Sequence, residues 1–449
     1  MTIREPSKSD QLRQEAFDLA VEQHHGRNLV VMVAEGSLFV AASVLYSGVT
    51  VLSGFMTRLG ADTTEVGLTL GTFVFVWTGV QIYAAFRQGH LSKKQRPIVL
   101  LRFLSGCAWI AFACFLFFAF RPTDEWKRIT VWTLMGTIVL FTSLGGYSVP
   151  LWMDFVGKIF RADYRGRYYG WRNGLGAAMG LGVSALVLAP LLRNLAFPYG
   201  YAWAFLIAGT LLCVGALCVR LSREAPPPRR RGPARLKEFV AGLLDTWKVS
   251  LEFRFFLVVT IISSFGGAGL GGCMVVPFFM RRAQDQMQAT DFYVGLATAV
   301  LVGGQVLAGL ASGVLVDRFN AKLVFFGNMV TSVLAMGCAL FMPDSWLWPY
   351  LLVFFLAGAA RGMIATSYHN CIMEMVPVER RPECLGLANF LRSPSFLVAP
   401  YLGGLILAGT GTRGFTVLFT VSMVFAVVNI IVFLAGMGLS RPEAPTGAA

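Results

Sequence analysis

Apolar residues run along this chain in long blocks, and polar residues are confined to the short stretches between them. Twelve blocks stand out, at 28–57, 65–86, 97–120, 129–157, 170–192, 199–221, 254–280, 291–315, 322–342, 347–376, 384–408 and 414–438. Each exceeds the roughly 20 residues a helix needs to cross a hydrocarbon core. No water is available there to pair backbone groups, so each block is predicted to be helical. Two stretches break the pattern. In residues 5–25, Leu12, Ala16, Leu19 and Ala20 fall on one helical face, which predicts a short amphipathic helix before the first span. The segment Ser222–Lys248 carries Pro226–Pro228 followed by Arg229–Arg231, and it separates six blocks from six.

Composition removes the soluble alternative. Hydrophobic residues make up 56% of the 449 residues and charged residues 14%, against roughly 25% charged in soluble domains. The formal net charge of +14 would fit nucleic acid. Its placement argues otherwise, because Lys and Arg gather between the blocks, where they set topology. Membrane lipids, not nucleic acid, are the expected surface partner. The eight cysteines form no C-x-x-C pair and read as small buried hydrophobes. The first 27 residues contain no apolar core of a signal peptide, so the first span is expected to direct insertion.

Alternate loops differ sharply in Lys and Arg content, and the richer set includes both termini and the 222–253 segment. The expected layout follows. Residues 1–27 form a cytoplasmic tail and 28–221 a first six-helix bundle. A cytoplasmic basic linker with an amphipathic helix covers 222–253. Residues 254–438 form a second six-helix bundle, and 439–449 a cytoplasmic tail. The expected location is the inner membrane, with both termini inside.

The halves repeat each other. Span 2 opens Val66-Gly67-Leu68 and span 8 opens Val294-Gly295-Leu296. After spans 4 and 10, at one constant offset, Arg165 matches Arg381, Gly170 matches Gly386 and Asn173 matches Asn389. Two halves of like orientation imply a pseudo-two-fold axis along the membrane normal. The loop after span 8 adds Gly313, Asp317, Arg318 and Lys322 in the order G-x-x-x-D-R-x-x-x-K, and span 11 carries Pro400, Gly403 and Gly404. In these features the chain resembles the major facilitator superfamily of secondary transporters. The resemblance implies an all-α polytopic fold of twelve transmembrane helices in two six-helix bundles. It also implies a rocker-switch mechanism, a small-molecule solute as partner, and a central cavity lined by spans 1, 4, 7 and 10. A proton or sodium ion is the candidate coupling partner, a monomer the expected state, and no cofactor is implied.

Ionisable residues at membrane depth are functional candidates by default. Arg361, in the middle of span 10, is either a cavity cation for an anionic or polyhydroxylated solute or a structural arginine satisfied by carbonyls. Glu35 in span 1 is a candidate proton carrier and a candidate partner for Arg361, or else an inert interfacial carboxylate. Tyr46 shares its face. Trp152 and Tyr368 occupy equivalent repeat positions and are either stacking platforms or interfacial anchors, with His369 beside the second. Arg102 is a further intramembrane cation. For the cytoplasmic gate, Asp154 and Glu374 are expected to pair with Arg165, Arg167, Arg172 or Arg381, alongside Gly313, Asp317 and Arg318. The P-loop, H-E-x-x-H, G-x-S-x-G and clustered-cysteine patterns do not occur, so no enzyme activity is expected. Two other readings stay open: a non-transporting sensor or assembly partner with this fold, and an integral-membrane transferase using His369 as base.

Overall fold

A computed structural model describes residues 8–88, 91, 93–161, 164–224, 250–269, 273–377 and 380–436. The chain is helical nearly throughout. Its first half comprises α1 (Lys8–Leu45), a π-helical turn (Gly48–Leu52), α2 (Ser53–Arg58), α3 (Thr63–Gln88), α4 (Gln95–Phe118), α5 (Asp124–Ile159), α6 (Arg165–Val183), α7 (Ala189–Asn194) and α8 (Tyr199–Leu221). The second comprises α9 (Leu251–Gly266), α10 (Val276–Asp285), α11 (Asp291–Arg318), α12 (Ala321–Phe341), α13 (Leu351–Met375), α14 (Arg381–Gly409) and α15 (Gly414–Gly436). Among the described residues, eleven helices are long and apolar enough to cross a membrane.

The seventh crossing accounts for the difference from twelve. The block at 254–280 is not one helix but α9 and α10, parted after Gly266. Two bonds fold the intervening segment inward: the Ala268 amide donates to Ser332 Oγ (3.1 Å) and the Met274 amide to the Ser264 carbonyl (2.9 Å). Such broken backbone is tolerated at membrane depth where it is buried in protein. At the other end of the chain, the predicted amphipathic helix and the first span are one continuous element, α1. Its 38 residues extend to about 57 Å, longer than the roughly 30 Å hydrocarbon core. The predicted amphipathic helix within 222–253 lies outside the described residues, as do residues 1–7 and the tail after 436.

Large apolar side chains are exposed along the helices, for example Phe118, Leu186 and Phe341, as expected of a lipid-facing surface. The buried interior contains aromatic layers such as Tyr46 stacked on Trp109 with centroids 5.1 Å apart.

The halves meet through the repeated glycines. A Cβ at Gly67 would lie 2.8 Å from the Pro400 carbonyl carbon of α14, and one at Gly295 would lie 2.8 Å from Ala189 Cβ of α7. The Val-Gly-Leu repeat is thus the site where each half admits a backbone or small residue of the other. Hydrogen bonds follow the same seam: Thr63 donates to the Gly404 carbonyl (2.9 Å), Thr298 to Thr50 (2.7 Å) and Ser393 to the Phe75 carbonyl (3.1 Å). At the end carrying Arg58, Asp291 joins both halves. It accepts from Tyr201 at 3.1 Å and pairs with Arg58 at 3.3 Å. Arg281 adds a bond to the Ala61 carbonyl at 2.7 Å. At the opposite end the corresponding pairs stay within one half: Lys94–Asp154 in the first and Lys322–Glu252 in the second. Among the described residues, the ion pair between Arg58 and Asp291 thus joins the halves at the Arg58 end.

Candidate functional site

The first charged site is built inside the first half. Glu35 on α1 is almost wholly buried and pairs with Arg102 of α4; its other oxygen, Oε2, lies 3.9 Å from Arg172 Nε of α6. Gly36 makes room for this: a Cβ there would lie 2.6 Å from Arg172 Cδ. Both guanidinium groups stand between the same two rings. Arg102 is 5.8 Å from the Phe39 centroid and 5.4 Å from that of Trp152; Arg172 is 5.9 and 4.9 Å from them. Such stacking fixes a guanidinium without consuming its N–H groups. Glu35 Oε2, Arg172 Nε and Trp152 Nε1 have no hydrogen-bond partner within the protein. These groups line a cavity of about 220 Å³ whose other walls include Trp77, Phe141, Leu211 and Leu212.

The second half holds two deep arginines, and none of its described carboxylates pairs with them. Arg361 on α13 faces Tyr46 of α1 across the boundary between halves, and it makes no ion pair with any described residue. Gly269 packs against its backbone, since a Cβ there would be 3.0 Å from the Arg361 nitrogen. Arg392 on α14 is 4% exposed. It lies 5.4 Å from the Tyr368 centroid and 4.6 Å from that of Phe396, and its Nε and Nη2 are unpartnered. The Tyr368 hydroxyl lies 3.1 Å from Asn389 Oδ1. His369 is exposed and meets Tyr368 edge-on, centroids 5.3 Å apart.

The arrangement differs from the sequence reading in two respects. Glu35 takes Arg102 and Arg172, not Arg361, because α1 packs against α6 and α8 of its own half and the long Arg102 side chain of α4 reaches it there. The gate residues also do not pair as expected. Asp154 pairs with Lys94 and with Lys158 at 3.6 Å. Glu374 accepts the Ala321 amide at 3.2 Å and so caps α12. Arg165 donates to the Gly157 carbonyl (2.7 Å), and its repeat partner Arg381 donates to the Met373 carbonyl (2.9 Å). Each arginine reaches eight residues back to close the C-terminus of the preceding helix. Arg167 lies over Tyr164, 5.6 Å from its centroid. Asp317 and Arg318 are exposed, and open space surrounds Gly313. Arg392 was not singled out from sequence, although an arginine well inside the block at 384–408 is itself a signal.

Two halves, a broken seventh crossing and cations at mid-depth define a class: an all-α, multi-pass membrane protein. The Major Facilitator Superfamily family model matches residues 269–449. Curated relatives include mouse monocarboxylate transporter 6, 26% identical over 288 residues (60% of this chain, 59% of that one), and mouse monocarboxylate transporter 11, 29% identical over 294 residues (61% of each). The cis,cis-muconate transport protein of Acinetobacter baylyi is 24% identical over 180 residues, 40% of each chain. The match thus spans about three fifths of the length of the two monocarboxylate transporters. Among solved structures, a D-xylose–proton symporter superposes with TM-score 0.67 at 15% identity, covering 95% of this chain and all of the other. The nucleoside transporter NupG gives 0.66 at 13%, covering 92% and 99%. The second half of the chain is thus similar to the Major Facilitator Superfamily model, and the whole chain shares the fold of these transporter structures.

Proposed function

We propose that this protein is a secondary active transporter that carries a small organic anion by alternating access. The carrying observation is the charge balance at membrane depth. Among the described residues, Arg102, Arg172, Arg361 and Arg392 stand against Glu35 alone. A charge held away from water is costly unless it is paired, and a solute anion supplies what the protein lacks. Arg361, facing Tyr46 across the boundary between halves, is the residue we assign to the solute in the central cleft. The names of the curated relatives, which include monocarboxylate transporters and a muconate transport protein, support an anionic solute. We place both termini and the linker on the cytoplasmic side of the inner membrane, following the distribution of Lys and Arg. In that orientation the end carrying Arg58 and Asp291 faces outward.

Proteoliposomes test the reading. An imposed gradient should drive uptake of labelled organic acids and not of their amides, and Arg361→Gln should cut that uptake at least tenfold. If no anion moves under any gradient while the protein remains folded, the transporter reading is wrong. Coupling is a separate reading: a proton rides on Glu35. Glu35→Gln should then abolish accumulation driven by a pH gradient and leave anion exchange intact, and unchanged accumulation would remove Glu35 from that role.

A further inference from the structure

We infer that the cavity inside the first half is a second carboxylate site, distinct from Arg361, selective for small organic acids with a flat apolar body, with Glu35 as its internal rival. The inference deepens the anion reading, on which it rests for the use made of the site.

Three observations support it. The cluster carries one surplus positive charge, since two arginines share one carboxylate. The sharing is also incomplete: Glu35 engages Arg102 closely, while its Oε2 stops 3.9 Å short of Arg172 Nε, and both atoms lack a hydrogen-bond partner. Trp152, 7% exposed, adds a third unpartnered group, its indole N–H. A ligand carboxylate would satisfy the Arg172 and Trp152 donors together, and charge-assisted bonds of this kind are the stronger ones. The two rings that hold the guanidinium planes leave their N–H edges available for it.

The walls specify the rest of the ligand. Trp77 and Phe141 lie with centroids 6.0 Å apart and planes 34° from parallel, and Trp77 meets Phe39 at 6.4 Å and 36°. Aromatic walls of this kind favour offset stacking with a planar body. At about 220 Å³ the cavity is smaller than the roughly 300–1,000 Å³ typical of drug-sized ligands, so the ligand is limited to about one ring. Glu35 occupies part of the donor set that such a ligand would use. Removing its charge therefore frees the site but leaves two buried cations without an anion.

The purified full-length protein, with benzoate, benzamide and acetate as probes, tests this by equilibrium binding and thermal melting. Benzoate should bind roughly tenfold or more tightly than acetate, and benzamide should not bind measurably. Arg172→Gln should weaken benzoate roughly tenfold or more. Glu35→Gln should melt below wild type without ligand, and benzoate, unlike benzamide, should raise its melting temperature by more than it raises the wild type's. Equal effects of benzoate and benzamide, or no larger rescue of Glu35→Gln than of wild type, overturn the site. Benzoate affinity that falls with Arg361→Gln and not with Arg172→Gln also overturns it, moving the ligand to the cleft. Transport is read separately. If benzoate binds at Arg172 in protein that moves no anion, the carrier reading fails and the site stands; if anions are taken up without benzoate binding, the site alone fails.

Discussion

Glu35 and its two arginines show how a buried charge is tolerated in this chain. Removing one partner of a buried ion pair leaves the other uncompensated, at a cost of about 3–5 kcal/mol. Arg102→Ala should therefore lower stability by roughly that amount, seen as a drop in the melting temperature of the purified protein, although a single arginine remains beside Glu35. Arg102→Met should cost less if protonated Glu35 packs against the thioether, so the pair of variants separates charge from volume. The sequence shows that Glu35, Arg102 and Arg361 lie inside apolar blocks. It does not show who pairs with whom, because that depends on which helices pack around α1. Proximity in depth made Glu35 a candidate partner for Arg361, and packing within the first half gave it to Arg102 and Arg172. The gate arginines failed for a related reason. Arg165 and Arg381 are spent on carbonyls eight residues away in sequence, a local bond that a search for distant carboxylates overlooks.

At the scale of elements the repeat is most informative. Gly67 and Gly295 stand out in sequence as a repeated tripeptide, and in the structure each admits a piece of the opposite half. Trp152 and Tyr368, also repeat partners, each carry an arginine from the following helix on the ring, 4.9 and 5.4 Å from the centroid. The two arginines, Arg172 and Arg392, are offset by one helical turn within the repeat, and among the described residues only the first has a carboxylate beside it. The halves thus keep the same scaffold and differ in the charge around it. Gly67→Val would force Pro400 away and loosen the contact of α3 with α14. The expected outcome is a population shift toward the state open at the Arg58 end, read as faster labelling of a cysteine placed at Thr57 in the variant than in the parent. Unchanged labelling would show that the close approach does not hold that state. The blocks themselves were legible from hydropathy. The division of the seventh was not, since Gly266 and Gly267 read equally well as ordinary membrane-helix glycines until Ser264 and Ser332 are seen to take up the freed amides.

For the whole molecule, closure at one end depends on few polar contacts, and Asp291 is central to them. It joins Tyr201 and Arg58 of the first half to the start of α11. Asp291→Asn keeps a hydrogen-bond acceptor for Tyr201 and loses the ion pair. The variant should therefore shift toward opening at that end, measured as a longer mean distance between spin labels on Thr57 and Ala289, while its melting temperature changes by under about 1 kcal/mol equivalent. A distance distribution identical to the parent's would remove Asp291 from the latch. The two-bundle plan was legible from block count, basic loops and repeat together. The contacts that join the bundles at the Arg58 end were not, because hydropathy does not report them. One property of the latch has a consequence for how the protein is observed. Arg58 is 52% exposed at its side chain, so dissolved ions reach the bond, and the screening length is about 8 Å at physiological ionic strength and about 3 Å at 1 M. If the protein alternates between two states as proposed, their resting balance is set partly by the electrolyte bathing that one end, and preparations held in dilute and in concentrated salt should contain different mixtures of the same molecule.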